Sequence, residues 1–239
     1  MRILSLETTE MIGSVAAADG DKLLVEMELS RHQRTARSLA PGIKELLEKV
    51  GWLAGQVELV AVTRGPGSFT GLRVGLATAK TFAYAAGADI MGVDTLETIA
   101  AAAPPEVERL WAAVDAQRGE VVVRNFARGE GGWFRPAGEE ELMEIDAWFD
   151  SLAEGQVVTG PVFRKLAGRL PEGVELLDQR YWPPMAATVA RLAHRHYAAG
   201  RRDDVWSLVP RYSRRSAAEE KWEKRNVGRQ GGQKGGPER

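Results

Sequence analysis

The stretch VTRGPGSFTGLRVGLATAK, residues 62–80, combines a glycine-rich loop with a long helix-compatible segment. A strand-like run over 59–63 leads into the loop at 65–68, and small and apolar residues then recur at helical spacing over about 69–86. This pattern predicts a buried strand, a sharp turn and a helix. Two roles are open: the loop could hold a phosphate, or the helix could hold another protein.

The loop does not match either common phosphate-binding motif. Gly65 and Gly67 are followed by Thr70 where a dinucleotide fingerprint needs its third glycine, and no spacing fits a P-loop. Exposed N–H groups at the helix start could still bind an anion, with Ser68 and Thr70 as caps. Alternatively, the glycines serve only a sharp turn and close packing.

The helix carries small residues at every fourth position, which form a nearly flat strip along one side: Gly71, Gly75, Ala79 and Ala83. Such a strip lets a neighbour approach closely. The neighbour could be the leucine-rich helix predicted over 35–50, in which case the strip belongs to the internal core. In the other interpretation, the two helices together present a face to a partner.

The bulk properties are those of a soluble globular protein. The 239 residues are 44% hydrophobic and 27% charged, and no apolar run is long enough for a membrane span. A net charge of -1 argues against a nucleic-acid binder that uses its whole surface. The N-terminus lacks a signal-peptide pattern and the chain has no cysteine, so we expect a cytoplasmic protein without disulfides or thiolate sites.

The chain also indicates an internal repeat. Strand-like runs at 2–6, 12–18 and 22–29 predict a meander, and LWAAVDAQRGEVVVRNFAR at 110–128 again reads as strand, acidic turn and strand. Glu7 and Asp115 occupy matching places, so we expect two copies of one α/β unit. The second unit continues with a short helix at 140–151, a strand at 156–159 and a helix at 185–199.

The predicted domain boundaries follow from this repeat. The prolines of PPEVER at 104–109 end the first lobe, which gives lobes at 1–103 and 104–222. A basic tail at 223–239 is predicted to be disordered, since it has almost nothing apolar to bury. This tail could be a solubilising terminus or a weak contact to RNA or a partner.

The sequence gives little support for a metal site or for the active site of a hydrolase. His32 stands alone, and His194 and His196 are two apart on a helix and point in different directions. No G-x-S-x-G elbow is present. Glu7 and Asp115 could face a common cleft and position a metal-bound phosphate, or each could accept N–H bonds within its own turn.

Five segments resemble the TsaB (YeaZ) family of bacterial tRNA threonylcarbamoyladenosine synthesis. They are MRILSLETTEMIGSVAA, RGPGSFTGLRVGLATAK, GVDTLETIA, VDAQRGEVV and VPRYSRRSAAEEKW, in the family's order and over residues 1–222. The resemblance implies an α/β, actin-like (ASKHA) fold of two related lobes, each with a mixed sheet flanked by helices. It also implies a non-catalytic activating and dimerisation subunit that pairs with the catalytic subunit TsaD, which is joined by the ATPase TsaE and modifies an adenosine beside the tRNA anticodon.

The resemblance also implies a contact surface on the first two helices. The expected contacts with TsaD, or with a second copy when TsaD is absent, are Leu39, Ile43, Leu46, Gly71, Leu72, Gly75, Leu76 and Ala79. No catalytic residue, metal or cofactor is expected. Few glycines line the turns, so the cleft between the lobes is expected to be vestigial, with Glu7, Thr8, Asp115, Gly119 and Gly160 around it. Glu7-Thr8-Thr9 also departs from the D-T-[SA] of many relatives.

Two other functions remain as alternatives. An independent actin-like ATPase or sugar-kinase relative would bind magnesium and ATP through Glu7 and Asp115. A peptidase would need a metal or a nucleophile that the sequence does not offer.

Overall fold

The computed structural model describes residues 1–30 and 35–213, and in these ranges it consists of two mixed β-sheets with flanking helices. The first sheet contains β1 (Arg2–Glu7), β2 (Ser14–Asp19), β3 (Lys22–Glu28), β4 (Leu59–Thr63) and β5 (Asp89–Val93). The second contains β6 (Arg109–Gln117), β7 (Glu120–Arg128), β8 (Phe134–Pro136), β9 (Glu141–Glu144), β10 (Val157–Thr159) and β11 (Glu175–Leu176). The helices are α1 (Thr35–Val50), α2 (Phe69–Ala86), α3 (Thr95–Ala100), α4 (Ile145–Ser151), α5 (Phe163–Leu166) and α6 (Ala186–Ala198).

The two sheets repeat one topology. The first has the order β3-β2-β1-β4-β5, with antiparallel pairs up to β1 and parallel pairs beyond it. The second has the corresponding order β8-β7-β6-β10-β11 with the same change of direction at β6, and β9 adds to β7. The predicted meander, the predicted repeat and the two-lobed α/β fold are therefore confirmed.

The helices cover both faces of the first sheet. Because side chains alternate along a strand, Leu4 and Leu6 face α1 and α2, whereas Ile3 faces α6 on the opposite side. Helix α6 lies in the sequence range predicted for the second lobe, yet it packs on the first sheet through Val189 and Leu192. The division at residue 103 stays a prediction.

One predicted element differs. The segment 140–151 was expected to be a single helix, but its first part is strand β9 and only α4 is helical. The reason is tertiary, because β9 pairs along β7 and pairing with an open strand outweighs local helix propensity.

Some predictions concern residues that the structure does not describe. The tail at 223–239, His32 and the end of the second predicted lobe lie outside the described residues. Among the described residues, no helix combines the length and apolar character needed to span a membrane.

Candidate partner surface and interlobe cleft

The glycine loop wraps around the turn that follows β1. Ser68 caps α2, and its hydroxyl accepts a hydrogen bond of 3.2 Å from the N–H of Gly71. The N–H of Ser68 itself donates to the carbonyl of Thr9 at 3.0 Å. A Cβ atom at Gly67 would stand 2.5 Å from the Cβ of Thr9. These N–H groups are therefore occupied by the chain, which favours the turn-and-packing interpretation over an anion site.

The small-residue strip of α2 also packs against this turn. A Cβ atom at Gly71 would lie 1.8 Å from the carbonyl oxygen of Thr8, and one at Gly75 would lie 2.1 Å from the Thr8 hydroxyl oxygen. The Thr8 hydroxyl donates to the carbonyl of Gly71 at 2.9 Å. The neighbour that requires the glycines is thus the turn after the first strand, and the strip is part of the internal packing.

The residues predicted as partner contacts are all buried in the chain itself. Leu46, Leu72 and Ala79 are fully inaccessible to water, and the other five are also buried: Leu39, Ile43, Gly71, Gly75 and Leu76. The reason is that the amphipathic stripes of α1 and α2 both turn toward the first sheet. These eight residues therefore pack inside this chain, and a partner contact on the first two helices stays a prediction that now concerns their opposite side.

That outer side carries small side chains together with exposed charged residues, and we call it the α1–α2 outer face. Its exposed members include Ala40 and Pro41 of α1 and Ala77, Thr81 and Tyr84 of α2.

Trp206 extends this face. Its ring meets the ring of Tyr84 edge-on at 5.4 Å between centroids, and the two residues are 71% and 70% exposed. The ammonium group of Lys80 holds the segment in place by donating to the carbonyls of Trp206 and Leu208, both at 3.1 Å. Sequence reasoning missed Trp206, because it lies outside any periodic segment.

Glu7 is enclosed beneath the turn. One carboxylate oxygen accepts from the N–H of Thr9 at 2.6 Å and from the hydroxyls of Thr9 and Thr63. The other oxygen is buried and has no hydrogen-bond partner among the described residues. Burial raises the pKa of Glu7 from its ordinary value near 4.5 to about 7, although the Thr9 hydrogen bonds oppose the shift.

A cavity of about 870 Å³ opens between the lobes. Asp115 lines it, whereas Glu7, Thr8, Gly119 and Gly160 do not. The cavity is bordered by Phe69, Tyr212, Asp115, Glu10, Arg118, Arg164 and Lys165, among others.

Two ion pairs occupy the acidic groups of the cavity. Lys165 donates to Asp115 at 2.6 Å, and Arg164 pairs with Glu10 from the other lobe. Asp115 also accepts from the N–H of Gln117 at 2.7 Å, which is the turn role foreseen for it. The carboxylates that could hold a magnesium ion are therefore already engaged by cations of the chain.

The other predicted cleft residues are structural. Gly119 sits in the β6–β7 turn with a φ of 83°. Gly160 has a φ of 135°, and a Cβ there would lie 2.0 Å from the carbonyl oxygen of Ala113. Both need glycine for backbone reasons. Within the described residues, no three histidine or acidic side chains converge on one point.

This pair of matching sheets, with a cleft between them, defines the class of actin-like ATPase folds. The solved activator of the 2-hydroxyisocaproyl-CoA dehydratase from Clostridium difficile shares that fold, with a TM-score of 0.51 at 11% identity over 85% of this chain and 99% of that one. The solved YeaZ from Pseudomonas aeruginosa is more similar, with a TM-score of 0.74 at 26% identity over 88% of this chain and 99% of that one.

The sequence comparisons are more specific. Residues 26–175 match the family model described as TsaD, tRNA N6-adenosine threonylcarbamoyltransferase. The Escherichia coli tRNA threonylcarbamoyladenosine biosynthesis protein TsaB is 30% identical over 94% of this chain and 98% of its own length. The chain belongs to the TsaB (YeaZ) family, which agrees with the resemblance of its five sequence segments.

Proposed function

We propose that the chain is a non-catalytic activating and dimerisation subunit in bacterial tRNA threonylcarbamoyladenosine synthesis. Its partner is the catalytic subunit TsaD, and the ATPase TsaE and tRNA join the same cytoplasmic complex. When TsaD is absent, two copies of the chain pair through the same surface. The name of the Escherichia coli relative and the TsaD-like family model support this assignment.

The observation that carries the proposal is the exposure of the α1–α2 outer face. The side chains of Ala40, Pro41, Ala77 and Thr81 are small, so a second helix pair can approach the backbone closely. At one end of this surface, Tyr84 and Trp206 leave most of their ring area in water. Exposed aromatic side chains of this size are typical of contact surfaces, where they supply much of the binding energy.

The cleft supports an accessory role as well. A nucleotide-hydrolysing relative needs carboxylates free to hold a metal and a water, and here Asp115 and Glu10 are paired with Lys165 and Arg164. Glu7 is sealed beneath Thr8 and Thr9 and does not reach the cavity. The chemistry of the complex is therefore assigned to the partner.

A charged substitution at the centre of the outer face tests the proposal. Ala77→Arg places a long cation where a helix would pack, and we expect association with TsaD to weaken at least tenfold in analytical ultracentrifugation. Ala153→Arg is the matched control, since Ala153 is exposed outside α1 and α2, and it should leave association unchanged. Equal affinity of both variants for TsaD would count against the assigned face.

Activity assays separate this role from the alternative of an independent ATPase. We expect the chain alone to show no ATP hydrolysis and no threonylcarbamoyl transfer, and to restore tRNA modification when TsaD, TsaE and substrates are added. Hydrolysis by the lone chain that is lost in Asp115→Ala would instead establish the ATPase.

A further inference from the structure

The outer side of α6 and the turn after it form a basic surface that the docking role does not use. Residues 186–202 contain four arginines and no acidic residue, although the whole chain has a net charge of -1. Arg191 and Arg195 are one helical turn apart, so their side chains project from the same side of α6. Arg202 follows the helix end. We call Arg191, Arg195 and Arg202, with Trp133 and Tyr197, the α6 basic face.

The three arginines have no acidic partner within the described part of the chain. The guanidinium of Arg191 donates to the carbonyl of Ala101 at 3.1 Å, and that of Arg202 donates to the carbonyls of Tyr197 and Arg201, both at 2.7 Å. Carbonyl oxygens satisfy hydrogen bonds but leave the positive charge uncompensated. Desolvation lowers the pKa of Arg191, which is consistent with a cation that lacks a counter-charge.

The carboxylates at the margin are engaged by other groups. Glu97 lies 3.2 Å from the His196 ring, and Asp203 pairs with Arg201 at 2.8 Å. Asp89 accepts the Tyr197 hydroxyl at 2.6 Å. These contacts hold the three carboxylates at the edge of the face, where Asp89 keeps its negative charge, and none of the three pairs directly with Arg191, Arg195 or Arg202.

Aromatic rings hold the guanidinium groups in fixed positions. Arg191 and Arg195 lie over the Trp133 ring at 5.6 and 4.9 Å from its centroid, and Arg202 lies over the Tyr197 ring at 3.2 Å. A guanidinium held in this way loses less side-chain entropy when it binds. Planar arginines combined with aromatic rings are the side chains that RNA-binding surfaces use for phosphates and unstacked bases.

Helix stabilisation accounts for only part of this arrangement. Cations in the last turn of a helix complement its dipole, and Arg195 and Arg202 are close to that end. Arg191 lies in the middle of α6 and gains nothing comparable. The helix dipole also does not explain why two of the arginines lie over the ring of Trp133. Trp133 belongs to the chain segment of the second lobe.

We propose that the α6 basic face binds the phosphate backbone of RNA. The face lies on the opposite side of the first sheet from α1 and α2, so RNA and a protein on the α1–α2 outer face can be bound together. The inference goes beyond the proposed docking role, which would stand even if this surface bound nothing.

Binding of an unmodified tRNA transcript to the full-length chain tests the proposal. In fluorescence anisotropy at 50 mM salt, we expect Arg195→Gln/Arg202→Gln to bind roughly tenfold more weakly than the parent. The slope of log affinity against log salt should fall by about 1.4 to 1.8, because each of the two lost phosphate contacts contributes about 0.7 to 0.9. Lys44→Gln/Lys49→Gln removes the same charge from α1 on the opposite side, and it should bind like the parent.

A conservative double variant and two other anionic ligands serve as further controls of the RNA-binding experiment. Arg195→Lys/Arg202→Lys keeps the charge and should recover most of the affinity and the salt slope, which a merely structural role of these residues would not predict. Absence of tRNA binding at low salt, or equal losses in the Gln variants of both helices, would overturn the proposal. Equally tight binding of phosphatidylserine vesicles or a poly-glutamate peptide would also overturn it, since the surface would then be a general anion binder.

Discussion

Gly75 of α2 lies so close to Thr8, the residue after β1, that a Cβ atom at position 75 would stand only 2.1 Å from the threonine hydroxyl oxygen. The contact joins the first strand to the helix that presents the α1–α2 outer face. The glycine is therefore a requirement of the fold, and a substitution there tests folding before it tests partner binding.

Gly75→Ala is expected to destabilise the chain by about 1 to 3 kcal/mol, because Thr8 or the helix has to shift to admit the methyl group. The loss occurs although alanine is intrinsically the better helix former by about 1 kcal/mol. Urea unfolding followed by circular dichroism measures it. Gly55→Ala is the matched control, since a Cβ there meets no atom of residues 1–30 and 35–213 within 4 Å, and its effect should stay within about 0.5 kcal/mol.

A double-mutant cycle identifies the cause. Thr8→Ala removes the obstructing hydroxyl, so the combined variant should lose clearly less than the sum of the two single variants. Additive losses would mean that the contact between Gly75 and Thr8 is not what excludes the methyl group.

The same contact shows what the sequence could and could not predict. Helices at 35–50 and 69–86 were predicted with the bounds that the structure has, because their apolar residues recur at helical spacing. The strip at Gly71 and Gly75 was also visible as a place of close approach. The spacing of the glycines shows, however, only where the helix lacks side chains. It does not show which atoms of the fold occupy the space beside them. Thr8 lies 63 positions from Gly71 and could not be identified as the neighbour.

Burial limited the prediction of site residues in a similar way. An amphipathic stripe marks the side of a helix that is covered, and a sequence does not say whether its own sheet or a partner covers it. Leu39 and Leu72 were therefore placed at an interface, and both are buried within this chain. Tyr84 and Trp206 are exposed because the sheet does not reach them, which only coordinates reveal.

Glu7 should make stability depend on pH. Burial raises its pKa to about 7 in the folded chain, so between pH of about 4.5 and 7 the folded state binds more protons than the unfolded state. The free energy of unfolding should fall as the pH rises through this window, by about 3 kcal/mol at most for this one group.

Glu7→Gln should remove that contribution. Unfolding in urea at pH 5 and at pH 8 is the measurement, and the parent should lose more stability than the variant on going to the higher pH. Other buried carboxyls contribute to both chains alike, so the difference isolates Glu7. Glu48→Gln on the exposed side of α1 is the control and should keep the parent's pH profile. Parallel profiles of the parent and Glu7→Gln would contradict an ionisable group with a raised pKa at this site.

Arg211 should fasten the C-terminal segment of the described chain to both lobes. Its guanidinium lies 2.5 Å from Asp94, which caps α3, and 2.5 Å from Glu140 before β9. Each of the three side chains is less than a third exposed, at 31%, 19% and 18% for Arg211, Asp94 and Glu140. Arg211→Gln leaves two acidic groups without their cation, so we expect a loss of about 2 kcal/mol in the free energy of unfolding.

The pH dependence of this loss is the sharper test. Burial raises the pKa of Asp94 and Arg211 opposes that shift, so in Arg211→Gln the pKa of Asp94 should rise further. The folded variant then binds an extra proton at mildly acidic pH, and the cost of the substitution should grow as the pH rises from 4 to 7. Arg211→Gln/Asp94→Asn should recover part of the stability, since asparagine still caps α3 and carries no charge. Lys49→Gln, which breaks an exposed pair with Glu45, should cost under about 0.5 kcal/mol at every pH. A cost of Arg211→Gln that is equally small, or that does not change with pH, would mean that Arg211 does not hold the lobes together.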